Sequence, residues 1–297
     1  MLKFLIKIGI TILLLGSILF VLDTELLARA LTGISRDMLL LGISLSICFV
    51  FLRILKWKLL AEANGMLAPF SDLSRAMLAA LALGLVTPGR VGEVAALAAF
   101  PPEQRTKGIM VYLYDRIGEL CTVLMFAVPA ALLFLGWLGA FVAGGIIIGC
   151  ILAISLIESR ALRISLGRVT KLNRVKKINE ILEADVKAPA HYWGASVVTY
   201  LFAYALIIAF VIGVEPITDL RAIAILPVVT LSNLVTITVG GLGVREGLAA
   251  LMAPFGELRP EVAAGAFFLS FFFTRVVAGL IGVVWQFAAR VPSSAVR

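Results

Sequence analysis

The chain of 297 residues is 61% hydrophobic and only 15% charged, whereas a soluble globular protein is about a quarter charged. This composition excludes a soluble fold and predicts an all-α polytopic membrane protein, because several apolar runs of about 20 residues can each cross a bilayer as a helix. The net charge of +8 does not indicate nucleic-acid binding, since the Lys and Arg residues cluster at the ends of apolar runs instead of forming one solvated face.

In chain order, apolar runs of helix length predict about six full transmembrane helices. They cover residues 4–22, 38–58, 108–135, 139–157, 192–213 and 262–288. Two further apolar segments, 70–100 and 219–256, are interrupted at 87–89 and at 240–243 by residues that end helices. We interpret both as broken re-entrant hairpins, although the arm 219–238 is also long enough to span fully. The predicted hairpin tips contain Pro88, Gly89, Gly92, Gly241 and Gly243.

The distribution of basic residues predicts the orientation of the chain in the membrane. Segment 158–190 carries eight Lys and Arg residues against four Asp and Glu residues, so we expect it to be a cytoplasmic loop. Counting helices from this loop places both termini in the cytoplasm and makes residues 1–297 a single integral membrane domain. The same count places Arg53, Lys56 and Lys58 at a cytoplasmic helix end.

Two similar segments, TPGRVGEV at 87–94 and GGLGVREG at 240–247, each place a glycine turn, an arginine and a glutamate inside an apolar region. Each follows a hairpin entrance that contains an Asp-Leu pair, SDLSRA in the first case and TDLRA in the second. We therefore predict an internal repeat with units 38–135 and 192–288. Under the predicted orientation the two units enter their hairpins from opposite sides, which makes the repeat inverted, as in many secondary transporters.

Eight ionisable residues fall inside the predicted membrane region: Arg90, Glu93, Asp115, Arg116, Glu119, Arg245, Glu246 and Arg275. Such residues are costly in a membrane and line a protein interior or a wet cavity, so they are candidate substrate-binding residues. Arginine binds phosphate or carboxylate through two parallel hydrogen bonds, and a helix start exposes backbone N–H groups, so the set indicates an anion site. The alternative is structural, because four arginines and four acids can neutralise one another and hold the hairpin tips in place.

The sequence indicates no enzyme chemistry. It contains no Walker loop for ATP, and its single histidine, His191, lies at a predicted span entrance beside Tyr192 and Trp193, where an interfacial position is the simpler interpretation. The three cysteines lie in apolar runs without the spacing of a disulfide or metal site. We therefore expect no catalytic residue, no metal and no cofactor.

Three segments, LGLVTPGRVGEVAAL (83–97), YDRIGEL (114–120) and GGLGVREGLAALM (240–252), resemble the signature segments of the flippase-like transmembrane domain family. This family is named for the membrane region of lysylphosphatidylglycerol synthases, and the resemblance covers nearly the whole chain. The positions that match the family motifs are Pro88, Gly89, Arg90, Gly92, Glu93, Asp115, Arg116, Glu119, Gly241, Gly243, Arg245 and Glu246. Arg275 is a candidate on the internal repeat alone.

The resemblance implies that the protein flips a polar, phosphate-bearing lipid across a bacterial cytoplasmic membrane, with membrane lipids as its ligands and a lipid-synthesising enzyme as a candidate partner. In two-domain synthases the membrane part flips an aminoacylated lipid made by a soluble domain. This chain ends at Arg297 without room for that domain, so aminoacyl transfer is not implied. Two alternatives stay open: secondary transport of a small soluble anion, and a non-transporting scaffold for lipid-modifying enzymes.

Overall fold

The computed structural model describes residues 25, 28, 31–158, 186–232, 238 and 241–288. The regular elements within these residues are all helical, so the fold is all-α, as the composition predicts. The predicted first span, 4–22, lies outside the described residues, and so do residues 159–185 of the predicted cytoplasmic loop.

The first half of the chain forms long helices that are joined by short turns. Its elements are α1 (Arg36–Ala63), α2 (Phe70–Val86), a 3₁₀ segment (Pro88–Ala99), α3 (Pro102–Leu135) and α4 (Trp137–Glu158). A proline is the first residue of both the 3₁₀ segment and α3. Proline lacks a backbone N–H, but the first N–H groups of a helix make no hydrogen bond within the helix, so the helix loses none. Gly136 separates α3 from α4 with a φ of 56°, a conformation that glycine adopts without steric strain.

The second half contains two long helices and two short ones. Its α-helices are α5 (Ala190–Ile212), α6 (Arg221–Leu231), α7 (Val244–Met252) and α8 (Pro260–Ala288). A 3₁₀ turn, Ala253–Gly256, follows α7. Helix α8 is interrupted over Phe272–Val277 by a π-helical segment, in which each backbone hydrogen bond spans one residue more than in an α-helix.

Among the described residues, α1, α3, α5 and α8 are long and apolar enough to cross a membrane. They confirm the predicted spans 38–58, 108–135, 192–213 and 262–288, with ends that differ by a few residues. Helix α4 covers the predicted span 139–157 with 22 residues. Large apolar side chains on these helices, such as Ile47 and Phe141, are exposed, as expected where lipid surrounds the protein. The chain is therefore a multi-pass α-helical membrane protein.

Both predicted hairpins contain a helix break at the predicted place. In the first, α2 ends at Val86 and the 3₁₀ segment follows. In the second, α6 ends at Leu231 and α7 begins after Gly243; the glycines Gly241 and Gly243 have φ values of 84° and 86°. Residues 233–237, 239 and 240 of this break lie outside the described residues. The depth of the breaks in the membrane and the inverted relation of the units stay predictions.

The two hairpin entrances share an Asp–Arg pair. At the start of α2, Asp72 accepts a hydrogen bond of 3.0 Å from Arg75. At the start of α6, Asp219 accepts a hydrogen bond of 2.8 Å from the backbone N–H of Arg221 and also contacts its side chain. Hydrogen bonds from Arg221 lower the pKa of the Asp219 carboxyl group below its ordinary value. The segments SDLSRA and TDLRA thus each place an Asp–Arg pair at a helix start, while the repeat itself stays a prediction.

Helices of the two predicted units pack directly against each other. Helix α1 packs on α5, α2 on α8, and α3 on α6. Small residues allow the closest approaches: a Cβ at Gly282 on α8 would lie 2.2 Å from the carbonyl carbon of Leu78 on α2. Similarly, a Cβ at Gly42 would lie 2.3 Å from the ring of Phe210. This packing brings the 3₁₀ segment of the first unit beside α8 of the second.

Candidate functional site

Glu93 on the 3₁₀ segment forms ion pairs with residues of three different helices. Its side chain is 5% exposed and pairs with Arg53 on α1, Arg116 on α3 and Arg275 on α8. Arg53 Nη2 lies 2.8 Å from Glu93 Oε2, and Arg275 Nη1 lies 2.6 Å from Glu93 Oε1. Charge-assisted hydrogen bonds in such a buried place are stronger than surface ion pairs, so the 3₁₀ segment is fixed relative to all three helices.

Glycines allow the 3₁₀ segment to approach α2 closely enough to place Glu93. A Cβ at Gly92 would lie 2.5 Å from the carbonyl carbon of Leu83, and a Cβ at Gly84 would lie 2.6 Å from the Glu93 side chain. The Gly92 N–H also donates a hydrogen bond of 2.7 Å to the Thr87 hydroxyl oxygen. Larger residues at Gly84 or Gly92 would therefore push the two arms apart and displace Glu93 from its arginine partners.

A second group of charges surrounds Lys56, which is fully buried on α1. Lys56 Nζ lies 3.0 Å from Asp115 Oδ1 and 2.9 Å from Glu119 Oε1, both on α3. The Tyr192 hydroxyl on α5 donates a hydrogen bond of 3.1 Å to Asp115 Oδ1. Gly118 makes room for this phenol, because a Cβ there would lie 2.4 Å from the Tyr192 oxygen. Three helices thus share one buried polar cluster.

Arg116 joins the two groups into one network. Its Nη1 lies 2.6 Å from Glu119 Oε2, while its Nη2 contacts Glu93. The guanidinium carbon also lies 4.8 Å from the centre of the Tyr112 ring, a cation–π arrangement. The network therefore extends from α1 through the 3₁₀ segment, α3 and α5 to α8.

The second glycine motif uses its glutamate differently from the first. Glu246 Oε2 accepts a hydrogen bond of 2.8 Å from the Gly243 N–H and so caps the N-terminus of its own helix, α7. Its other oxygen contacts Arg245, whose guanidinium carbon lies 4.8 Å from the centre of the Phe271 ring on α8. Whereas Glu93 connects three other elements, Glu246 stabilises a helix start and holds Arg245.

The π-helical segment of α8 carries Arg275. Each π turn contains one residue more than an α turn, so the segment rotates the side chains that follow relative to those that precede it. Phe271, just before the segment, contacts Arg245, while Arg275 within it reaches Glu93. One helix, α8, therefore contacts residues of both glycine motifs.

A cavity of about 250 Å³ lies between α1, α3, α5, α6, α7 and α8. The charged residues on its described wall are Arg53, Arg116, Arg245, Arg275 and one acid, Glu119, so we call it the arginine cavity. Hydroxyl groups come from Tyr112, Thr199, Tyr200, Thr230, Ser270 and Thr274. The wall thus combines cations with hydrogen-bonding groups that suit an anion.

Several guanidinium nitrogens of this wall have no hydrogen-bond partner among the described residues. They are Arg53 Nη1, Arg116 Nε and Arg245 Nε, each hidden from solvent. Arg53 and Arg245 are only 6% and 8% exposed. A buried N–H without an acceptor costs free energy, so these nitrogens are a destabilising feature of the site.

The structure brings most of the predicted substrate-binding residues together. Glu93, Asp115, Arg116, Glu119 and Arg275 belong to the network, and Arg245 on the cavity wall pairs with Glu246. Of the predicted tips, Gly92, Gly241 and Gly243 are described at the breaks, whereas the side chains of Pro88 and Arg90 lie outside the described residues, and so do the surroundings of Gly89. The role of these residues in binding substrate stays a prediction.

Arg53 and Lys56 are functional candidates that the sequence analysis missed. They do not lie at a helix end, since they are 6% and 0% exposed and α1 continues to Ala63. Their predicted position toward the cytoplasmic side stays a prediction. The spacing of three residues places both on one face of α1, whereas Lys58 lies on another face and is only half-buried. That shared face, within an apolar run, is the signal that could have identified them.

His191 at the start of α5 is exposed and its interfacial position stays a prediction, whereas the neighbouring Tyr192 is not exposed. Tyr192 is fully buried and donates to Asp115, because α5 packs against α1 and α3 at this level. Within the described ranges, no three His, Cys, Asp or Glu side chains are grouped so that they could hold a metal ion.

The fold and the site define a multi-pass α-helical membrane protein with buried arginines around a cavity between its helices. Residues 4–282 match the family described as the lysylphosphatidylglycerol synthase TM region, and the chain belongs to that family. The TM region is the non-catalytic part of those synthases, and the family is associated with lipid translocation. A comparison with curated proteins finds no match for the chain.

Proposed function

We propose that this protein moves a phosphate-bearing lipid between the leaflets of the membrane, with the lipid headgroup held in the arginine cavity. The observation that carries the proposal is the convergence of four arginines, from α1, α3, α7 and α8, on one cavity of about 250 Å³. Guanidinium groups bind phosphate oxygens through paired hydrogen bonds.

The size of the cavity favours a headgroup over a whole lipid. Pockets for drug-sized ligands hold about 300–1,000 Å³. A cavity of about 250 Å³ therefore takes a phosphodiester with a small polar substituent, while the acyl chains stay in the bilayer. The cavity must then open sideways between helices during transport.

Each group of residues has a proposed role. Arg53, Arg116, Arg245 and Arg275 hold the phosphate, and the role predicted for Arg90 from the sequence is part of the same proposal. Glu93, Glu119 and Glu246 balance the arginine charges when the site is empty. The predicted inverted repeat provides the two alternative openings, one toward each leaflet.

The proposed setting follows from the sequence and the family. We place the protein in the cytoplasmic membrane of a bacterium with both termini in the cytoplasm, because the basic segment 158–190 fits the positive-inside rule. Its ligands are membrane lipids, and its partner is an enzyme that synthesises the transported lipid.

Leaflet exchange in proteoliposomes tests the proposal. We expect the purified protein to exchange acyl-chain-labelled phosphatidylglycerol between leaflets, and Arg245→Gln to abolish the exchange, because Arg245 is on the cavity wall. The matched control is Arg259→Gln, since Arg259 is exposed and pairs with Glu215 outside the cavity. Normal exchange by folded Arg245→Gln would contradict the role of the cavity.

The cavity volume also suits a small soluble organophosphate, which is the second candidate substrate. The same vesicles, loaded with glycerol phosphate, separate the two sources of phosphate. Release of glycerol phosphate without lipid exchange would identify a soluble-anion transporter, whereas lipid exchange without release supports the lipid proposal.

A further inference from the structure

We propose that Glu119 is a proton-binding site and that the protein carries one proton with each phosphate-bearing lipid that it moves. The inference rests on the proposed function, which it deepens by naming a co-transported ion. In this scheme Glu119 is charged when the arginine cavity is empty and protonated when a phosphate occupies it. A proton gradient across the membrane then drives the lipid toward one leaflet.

Glu119 is the acid on the described part of the cavity wall. Its side chain is 16% exposed, whereas the side chains of Asp115 and Glu93 are 3% and 5% exposed and are not among the described wall residues. The cavity volume of about 250 Å³ far exceeds the volume of about 10–15 Å³ that one water molecule needs. Water in the cavity can therefore bring a proton to Glu119 and take it away again.

Two cations hold Glu119 in its charged form when the cavity is empty. Lys56 Nζ lies 2.9 Å from Glu119 Oε1, and Arg116 Nη1 lies 2.6 Å from Glu119 Oε2. Opposite charges at this distance favour the ionised carboxylate. The titratable and charged groups on the described elements around it are Arg53 and Lys56 on α1, Glu93 on the 3₁₀ segment, Tyr112, Asp115 and Arg116 on α3, Tyr192 and Tyr200 on α5, Arg245 on α7 and Arg275 on α8.

A phosphate in the arginine cavity changes this balance. It brings a negative charge to the wall that carries Glu119, and it competes with Glu119 for the guanidinium group of Arg116. A nearby like charge favours the neutral form of a carboxylic acid, and a buried site screens that charge weakly. Glu119 therefore takes up a proton from water in the cavity as the phosphate binds, and it releases the proton to water as the phosphate leaves.

Asp115 allows Glu119 to become neutral without leaving a buried cation unpaired. Lys56 is fully buried, and its Nζ lies 3.0 Å from Asp115 Oδ1, so it keeps an anionic partner when Glu119 is protonated. The Tyr192 hydroxyl donates a hydrogen bond of 3.1 Å to the same oxygen of Asp115. A buried cation that loses its only partner is strongly destabilising. The two acids, one helical turn apart on α3, thus divide the work: Glu119 titrates and Asp115 stays charged.

A pH gradient across proteoliposomes tests the inference. We expect a gradient of about one pH unit to concentrate acyl-chain-labelled phosphatidylglycerol up to about tenfold in the leaflet that faces the alkaline side, because one proton moves with each lipid. One proton and one singly charged lipid make the step electroneutral, so a potassium diffusion potential set with valinomycin should not change this ratio. Protein-free vesicles correct for spontaneous movement of the protonated lipid.

Variants of Glu119 identify the proton site. Glu119→Gln removes the titratable group, so we expect an even distribution of the lipid, whereas Glu119→Asp keeps a carboxylic acid and should keep the accumulation. The steady-state ratio does not depend on the exchange rate, so a slower variant can still be compared. The matched control is Glu62→Gln, since Glu62 pairs with Lys58 away from the cavity and should leave the ratio unchanged.

A binding measurement covers a variant that no longer moves lipid. The affinity of the wild-type protein for short-chain phosphatidylglycerol in detergent should fall as the pH rises, by up to about tenfold per pH unit, because binding takes up one proton. The affinity of folded Glu119→Gln should not depend on pH. A pH dependence that persists in this variant would assign the proton to another group and overturn the role of Glu119.

The outcomes separate this inference from the proposed function. Wild-type protein that exchanges phosphatidylglycerol but distributes it evenly across a pH gradient overturns the inference and leaves the proposed function standing. Accumulation that persists in Glu119→Gln also overturns the inference. Folded wild-type protein that exchanges no lipid at all overturns the proposed function itself. Because the first result needs no variant, the inference is tested even if Glu119→Gln does not fold.

Discussion

Three guanidinium groups share the carboxylate of Glu93, and this buried contact depends on residues far apart in the chain. Arg53 precedes Glu93 by 40 residues and Arg275 follows it by 182. The TPGRVGEV motif identified Glu93 as an intramembrane acid, but no local pattern pairs it with Arg53. At the residue scale, the sequence therefore identified Glu93 but not its ion-pair partner Arg53.

Glu93→Gln should destabilise the protein strongly. The change leaves buried guanidinium groups without their shared counter-charge, and removal of one partner from a buried ion pair costs about 3–5 kcal/mol. Glu62→Gln is the control, because Glu62 pairs with Lys58 near the surface and such pairs contribute less than about 1 kcal/mol. Thermal unfolding in detergent measures both variants; equal midpoints would show that Glu93 does not stabilise the fold.

At the scale of elements, helix breaks were easier to predict than helix contacts. Proline and glycine end helices for local reasons, so the breaks after Val86 and before Val244 follow from sequence. The π segment of α8 has no such signal, because it depends on how α8 packs against its neighbours. Gly145 and Gly149 on α4, although four residues apart like many packing glycines, have no described atom close to a Cβ added there, whereas Gly282 on α8 does.

Gly282→Ala should destabilise the contact between α2 and α8. The new Cβ would lie 2.2 Å from the carbonyl carbon of Leu78, so one helix must shift, and overpacking of this kind costs about 1–3 kcal/mol. Gly145→Ala adds the same methyl group to α4 at a position where no described atom lies within 4 Å of it, and alanine favours the helix by up to about 1 kcal/mol. Thermal unfolding should therefore rank Gly145→Ala at or above the wild type and Gly282→Ala below it. The reverse order would refute the packing.

At the scale of the whole molecule, the two predicted units form one structure. Glu93 from the first unit pairs with Arg275 from the second, and α2 packs against α8. A single network therefore joins the two predicted units beside the arginine cavity, whose wall includes Arg116 and Arg275. In the proposed transport, a movement of one unit against the other would change these ion pairs and so connect the proposed binding site to that motion.

A double-mutant cycle measures this connection between the units. Glu93→Gln and Arg275→Gln together should cost less than the sum of the single changes, with a coupling of about 0.5–3 kcal/mol, because each removes the same ion pair. Glu93→Gln with Arg259→Gln serves as the control, since Arg259 pairs with Glu215 and should add independently within about 0.5 kcal/mol. The free energies of unfolding of the variants, measured in mixed detergent, give the coupling free energy of each cycle. Additive effects in the first cycle would show that the pair does not join the units.

The sequence by itself determined the membrane class, the described spans and the helix breaks, and it also supplied five of the charged network residues. These features depend on local composition: apolar runs must be helical in lipid, and proline or glycine interrupts them. Ionisable residues inside apolar runs are visible without a structure, because they violate the expected pattern.

Only the tertiary structure decided which charges meet and which face the cavity. It moved Arg53 and Lys56 from a predicted helix end into the buried network, placed Tyr192 on Asp115, and gave Glu246 a capping role that Glu93 does not share. The physical reason is that an ion pair depends on distances of a few ångströms between helices that are remote in sequence. Helix packing sets those distances, and no local pattern records them.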